Sequence, residues 1–298
     1  MIVIKNAIYI IIAGTLWGII SVFVNQLKDI GFNSMQVVSI RVFFSALILV
    51  LYLLIKDINQ LKIHLKDIPL FIGTGVGSII FFNYCYFQAI ELIGGASIPA
   101  LLLYTAPIFV MVLSLILFKE KITKKKLVSL IMTFLGLALV TGAFSNTNKI
   151  SAIALLFGLG SGLGYALYSI FGKFLVDKYS AITITTYTFV VATVFSIPFS
   201  GIVQKAELIV SPKGIILALS LALISTVLPF LLYTKGLSGM EAGKASILAT
   251  VEPFVATIIG ITFFKETMTV SKIIGMLMVL LAIVILNVNF KSKKPIKD

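Results

Sequence analysis

Residues 104–123 read YTAPIFVMVLSLILFKEKIT, and residues 250–269 read TVEPFVATIIGITFFKETMT. Each is an apolar run that carries a proline, Pro107 or Pro253, and closes on Phe-Lys-Glu. The two stretches lie 146 positions apart. The same offset, without a gap, brings Gly14 onto Gly160, Gly18 onto Gly164, Ala96 onto Ala242, Thr123 onto Thr269 and Lys126 onto Lys272. Runs of about 20 apolar residues are long enough to cross a bilayer as helices. The pattern therefore predicts a duplicated bundle of membrane helices, divided into residues 1–146 and 147–298.

Composition leads to the same solvent. The 298 residues are 59% hydrophobic and 12% charged, against about 25% charged in a typical soluble domain. A water-soluble body with this content would expose apolar patches beyond what such proteins tolerate. Ten spans are expected: Ala7–Val24, Met35–Ile55, Ile68–Ile90, Gly94–Phe118, Leu127–Ala143, Ile150–Val176, Ala181–Val203, Gly214–Thr234, Ala242–Phe264 and Ile273–Phe290. All must be helical, because lipid cannot satisfy a free backbone N–H or C=O. The runs are continuous rather than alternating, which argues against a β-barrel. The first run ends at Asn25-Gln26 without a small-residue cleavage pattern, so it reads as a retained helix rather than a signal peptide. Asp67 before Pro69 and Ser211 before Pro212 suit helix starts, an oxygen acceptor followed by an early proline.

Lysines set the expected orientation. With the N-terminal end inside, seventeen lysines fall in inside segments, among them Lys119, Lys121, Lys124, Lys125 and Lys126 and the terminal group Lys291, Lys293, Lys294 and Lys297. Six fall outside: Lys28, Lys149, Lys205, Lys213, Lys265 and Lys272. Positive charge collects on the cytoplasmic side, so both ends are expected in the cytoplasm and the membrane is expected to be the cytoplasmic one. The net charge of +13 is then a topology signal beside membrane lipids, and no nucleic-acid partner is expected.

Five spans per half is an odd number, so the second half enters the membrane inverted. Inverted repeats are a recurrent plan of secondary transporters, with substrate bound near the midplane where the halves meet. The alternative is a duplicated structural protein. Close helix packing is signalled by GTLWG (Gly14–Gly18), GSGLG (Gly160–Gly164) and GTGVG (Gly73–Gly77), since glycines four apart let backbones approach.

These residues resemble a known family. Leu-Trp-Gly (Leu16–Gly18), Tyr-Thr-Ala-Pro (Tyr104–Pro107), Phe-Lys-Glu-Lys-Ile-Thr (Phe118–Thr123) and the later Glu-Pro (Glu252-Pro253) with Phe-Lys-Glu are similar, in this order and spacing, to the EamA branch of the drug/metabolite transporter superfamily. The resemblance covers nearly the whole chain. It implies two inverted five-helix repeats, a central cavity, and export or exchange of amino acids, related metabolites or drugs.

Glu252 is the sharpest candidate for substrate binding. It lies ten residues into its span, roughly 15 Å deep at 1.5 Å per residue, where a carboxylate marks function by default. It could bind a proton, a substrate amine or a cation, or it could serve the helix break at Pro253. Pro107, Pro229 and Pro253 each lack an N–H and free a carbonyl one turn earlier, either as static kinks or as gating breaks beside a cavity. Asn83 is the repeat partner of Pro229 and should face the interior. Trp17, Tyr84, Tyr104, Tyr165, Tyr168 and Tyr233 are candidate cavity aromatics. Tyr84 and Gln88 share a face at i, i+4. With Glu252, such rings suit an amine through cation–π contact, and a zwitterion equally. Arg41, the one arginine, sits about 9 Å into the second span. It either snorkels to the interface or binds a substrate carboxylate. Lys119-Glu120 and Lys265-Glu266 read as structural or gating pairs.

Catalytic and metal-binding constellations are not expected. One histidine (His64, in a loop) and one cysteine (Cys85, in an apolar run) make neither a zinc site nor a Ser-His-Asp set. No GxxxxGK[ST] string is present to cradle ATP. The chain is expected to be no enzyme and to use no cofactor. The expected function is secondary transport of small organic metabolites, exporting, with protons as a possible coupling partner. The alternatives are an uptake carrier for a small amine or cation and a membrane scaffold or lipid scramblase.

Overall fold

The structure, a computed structural model, describes residues 2–143 and 150–287. Lys149, Lys291, Lys293, Lys294 and Lys297, counted above for orientation, lie outside the described residues, as does Phe290. Among the described residues the chain is helical, without strands. Nine helices among the described residues are long and apolar enough to cross a membrane. They are α1 (Ile4–Asp29), α2 (Ser34–Lys56), α3 (Leu65–Ile93), α4 (Ser97–Phe118), α6 (Ala152–Leu175), α7 (Ala181–Ser200), α8 (Pro212–Leu237), α9 (Ala242–Thr262) and α10 (Val270–Asn287). A further helix, α5 (Lys124–Val140), has 17 residues.

Side-chain caps fix most of the starts. Asn33 and Gln36 form a reciprocal capping box at α2. Thr123, Ser151, Ser180 and Ser211 each accept a backbone N–H three residues on. Each cap satisfies one of the donors that a helix N-terminus leaves open. Capping explains why α5 begins at Lys124 rather than at the expected Leu127. Thr123 brings three lysines into the first turn, where hydropathy alone would have left them outside. Asp67 departs from expectation: it makes no cap. Its carboxylate instead accepts hydrogen bonds from Lys178 Nζ at 2.6 Å and Tyr179 Oη at 2.7 Å, tying the start of α3 to the end of α6. That bond holds the Lys178 ammonium above the ordinary lysine range.

Packing between the halves comes in matched pairs. Helix α1 lies on α8 and α9, while α6, its partner in the 146-residue offset, lies on α3 and α4. Helix α2 meets α8 as α7 meets α3, and α2–α7, α4–α9 and α5–α10 pair directly. Local detail repeats as well. Lys119 and Lys265 both adopt φ 56°, a left-handed conformation that costs an L-residue roughly 1–2 kcal/mol. Helix α4 breaks at Tyr104–Thr105 and α9 at Thr250, and π-helical turns interrupt α3 at Gly73–Ile80 and α8 at Leu223–Val227.

The main apolar core runs through the centre, around Trp17, Phe189, Phe230 and Leu248. Smaller clusters close the two ends, one on Leu27 and Phe44 and one on Phe71 and Leu175. The perimeter is apolar too: Leu156, Val194 and Phe199 stand exposed, as lipid-facing positions should. Helices α5 and α10 touch backbone to backbone. A Cβ on Gly136 would meet the Gly275 carbonyl oxygen at 2.7 Å. Overpacking such a contact costs about 1–3 kcal/mol. Gly136→Val should lower the thermal midpoint of the detergent-purified protein by several degrees, whereas the same change at Gly95, which has nothing within 4 Å, should not.

Candidate functional site

The site forms where α9 is broken. Thr250 donates both its N–H, at 3.2 Å, and its hydroxyl, at 2.6 Å, to the Ile247 carbonyl, which tightens the last turn before the break. Helix resumes at Val251, so Glu252 stands in the first turn of the resumed segment, where a helix favours negative charge. Gly14 and Gly18 let α1 press against this turn. A Cβ on Gly14 would meet the Ala249 carbonyl oxygen at 2.8 Å, and one on Gly18 the Glu252 carbonyl oxygen at 2.8 Å. The glycine spacing of the first span therefore serves the approach of α1 to the acid.

Glu252 is partly buried. Its carboxylate accepts a hydrogen bond from Tyr165 Oη at 2.8 Å, and Tyr104 lines the same small cavity as the acid. Tyr104 comes from the break in α4 and Tyr165 from α6, so elements of both sequence halves meet beside one carboxylate. Trp17 packs edge-on against Tyr165 at 6.3 Å and Phe230 at 5.1 Å, and tilted against Tyr233 at 5.3 Å. Tyr168 and Tyr233 spend their hydroxyls on Thr234 at 2.7 Å and Ser169 at 2.6 Å. Both are buried. They form a packed aromatic floor rather than free polar tips.

A small cavity lies against the acid, bounded by Tyr104, Pro107, Tyr165, Ser169, Thr250 and Glu252. Its volume is about 10 Å³, the room of a single water. The conformation is thus contracted around Glu252 and could admit a metabolite only by moving.

The remaining candidates distribute unevenly. Pro107 lines the cavity; Pro253 is buried next to Glu252. Pro229 is buried directly after the π-helical turn of α8. Asn83 is buried, as expected, but its amide donates to Ile79 O of its own helix at 2.7 Å. Tyr84 is placed elsewhere: it is 47% exposed and stacks edge-on against Phe157 on the outer surface. Gln88 follows it on the same face and is partly exposed. Two other aromatics of α3 approach the site: Phe82, 5.6 Å edge-on from Tyr165, and Tyr86, within electrostatic reach of Glu252. Residues 84 and 86 lie about 200° apart around a helix, and the one signal of the inward face is Asn83, three residues before Tyr86.

Arg41 resolves towards the interior. It is 8% exposed, its Nε has no hydrogen-bond partner, and its charge is felt by Glu252. Among the described residues no cluster of three or more His, Cys, Asp or Glu side chains could hold a metal ion. Phe230, Ser169 and Thr234 are site elements that sequence reading missed. Ser169 alone left a signal, one turn beyond Tyr165 on the same helix face.

Relatives agree with this architecture. The model of the EamA-like transporter family matches residues 4–142 and again residues 152–288. An uncharacterized transporter of Archaeoglobus fulgidus is 30% identical over 276 residues, covering 93% of this chain and 94% of its own. An uncharacterized inner membrane transporter of Salmonella typhimurium is 25% identical, covering 97% of each. A solved crystal structure shares the fold with a TM-score of 0.77 at 12% identity, over 95% of this chain and 96% of the other. Multiple apolar helices and matching relatives of this kind make the chain a multi-pass membrane protein. With both halves of its sequence matched, the chain belongs to the EamA-like transporter family.

Proposed function

We propose that the protein is a secondary carrier that exports small organic metabolites, amino acids or amines, across the cytoplasmic membrane by alternating access. In this reading residues 1–146 and 147–298 are two inverted five-helix repeats, α5 counts as a span, and both chain ends lie in the cytoplasm. The paired helix contacts, the recurrent φ of Lys119 and Lys265 and the two-fold family match support the repeat. Lysines 119, 121 and 124–126, gathered after α4 and in the first turn of α5, support the orientation. Reporter fusions at the first and last residues should both score cytoplasmic, and opposite scores would overturn the inverted arrangement.

One observation carries the reading. The carboxylate of Glu252 is held at a helix break between tyrosines of α4 and α6, beside a cavity. A polar site between two half-bundles is where an inverted-repeat carrier binds its solute. Aromatic walls with an acid recognise an ammonium by charge and cation–π attraction. A carrier driven by protons could load them on the same acid.

Flux measured in proteoliposomes at matched reconstitution tests this. Glu252→Gln should lower transport at least ~10-fold, the loss of one charge-assisted contact of roughly 1.5–3 kcal/mol. Tyr165→Phe should lower it less, since it removes one hydrogen bond to the acid and leaves the charge in place. Unchanged flux and unchanged pH dependence in Glu252→Gln would remove the acid from the mechanism. Fluorescent-lipid flipping without solute specificity would favour a scramblase.

Arg41 adds a second pole. A buried guanidinium with an unpartnered nitrogen and an acid within its field suits a solute bearing carboxylate and ammonium together. Arg41→Gln should therefore slow transport of an amino acid several-fold more than transport of its decarboxylated amine. Equal slowing of both would assign Arg41 to structure alone.

A further inference from the structure

The two ends of the bundle carry the same acid, lysines and threonine cap in different states, with Gly95 standing where the other end has Glu241. At the lysine-rich end, Glu120 follows the left-handed Lys119 and is buried, 9% exposed. Its Oε1 accepts the Ala242 N–H at 2.8 Å and its Oε2 the Gly243 N–H at 3.2 Å. The carboxylate thus caps the start of α9 across the seam. Lys126 sits behind it, 3.7 Å from Glu120 and 2.6 Å from Glu241, with a further bond to the Lys121 carbonyl. Lys126 is buried as well. A buried acid, a buried lysine and two backbone donors make a closed contact between the sequence halves.

Adding 146 to each number gives the other end. Glu266 follows the left-handed Lys265. Its N–H donates to Gly260 O, as that of Glu120 donates to Ser114 O. Thr269 accepts the Lys272 N–H, as Thr123 accepts that of Lys126. Lys272 pairs with Glu266 at 2.9 Å. Yet the Glu266 side chain is 53% exposed and lies against Gly260 of its own helix. Its counterpart dock, the start of the 22-residue span α4 at Ala96 and Ser97, stands exposed. Ala242 and Gly243, the equivalent pair, are covered. The backbone around both acids is alike, and the docking differs. Glu266 is built like Glu120, presented alike, and undocked.

We propose that Glu120 and Glu266 are alternating latches: one closes each face of the carrier, and the two are never closed together. The present conformation has the Glu120 latch shut and the Glu266 latch open. Exchange withdraws the Glu120 carboxylate from Ala242 and Gly243 and seats that of Glu266 on the N–H groups of Ala96 and Ser97, with Lys272 behind it. The inference rests on the carrier reading for its purpose, but its geometry can be tested without a solute.

Cysteine pairs replace the latches, in a Cys85→Ala background. Glu120→Cys with Gly243→Cys spans the shut contact, and Glu266→Cys with Ser97→Cys spans the open one. A protease site between α5 and α6 lets disulfide formation be read as two halves that stay joined. Each pair should cross-link alone under mild oxidation in native membranes. In the four-cysteine variant, mass spectrometry of the peptides should find one disulfide or the other, with both in the same molecule at least ~10-fold below the product of the single yields. Both disulfides at that product, or a Glu266–Ser97 pair that never links in a protein that still transports, would overturn the latches. A second measurement needs no disulfide. Labelling of a lone Ser97→Cys by a membrane-impermeant maleimide should slow at least ~3-fold when Glu120→Gln is added and should not slow with Glu266→Gln. Equal effects from both substitutions would mean that the acids merely hold the fold. Exclusive disulfides without solute flux in the wild type would refute the carrier and leave the latches standing. Flux with simultaneous disulfides would do the reverse.

Discussion

A carboxylate among apolar helices is tolerated only where protein replaces the water it has lost, and much of the central architecture follows from satisfying that demand at Glu252. The break at Thr250 brings the acid to the start of a helical segment. The break in α4 brings Tyr104 to it, and α6 brings Tyr165. Glycines 14 and 18 allow α1 to close on the same turn, and Trp17 from that helix covers the aromatic floor. Remove the acid and the breaks, the tyrosines and the close backbone approach lose their common purpose.

Irregular backbone in a membrane must lie within protein, and here it does so in pairs. The breaks of α4 and α9 and the π-helical turns of α3 and α8 fall near matching positions of the two halves. A π turn and an interrupted helix are weaker than a straight rod and are common at functional sites. No such turn or break interrupts α2, α5, α7 or α10. The asymmetry between Glu120 and Glu266 shows where matched sequences have settled into unlike contacts.

Much of this was legible in the sequence, because the signals are long or repeated. Spans are read from twenty-residue averages, and errors of a turn arise where a cap such as Thr123 draws lysines into the helix. Glu252, Tyr104, Tyr165 and Trp17 were legible because a charge or a polar aromatic is rare at that depth. Rotation of a helix about its axis was not. In Phe81–Ile93 every residue up to Phe87 but Asn83 and Cys85 is aromatic, so the aromatics alone gave no inward face, and Tyr84 was chosen although Asn83, expected inside, shares its face with Tyr86. Depth did not settle Arg41 either. Only three-dimensional packing turns it inward, towards Glu252.

Solute counterflow decides the central claim most directly. Proteoliposomes containing the wild-type chain would be preloaded with an unlabelled mixture of amino acids and amines and diluted into each labelled compound in turn. A carrier with one site reached alternately from two sides predicts transient, saturable accumulation of at least one compound, strongest when the same compound is inside. Accumulation that is absent for every compound, or that neither saturates nor responds to what is inside, would contradict it.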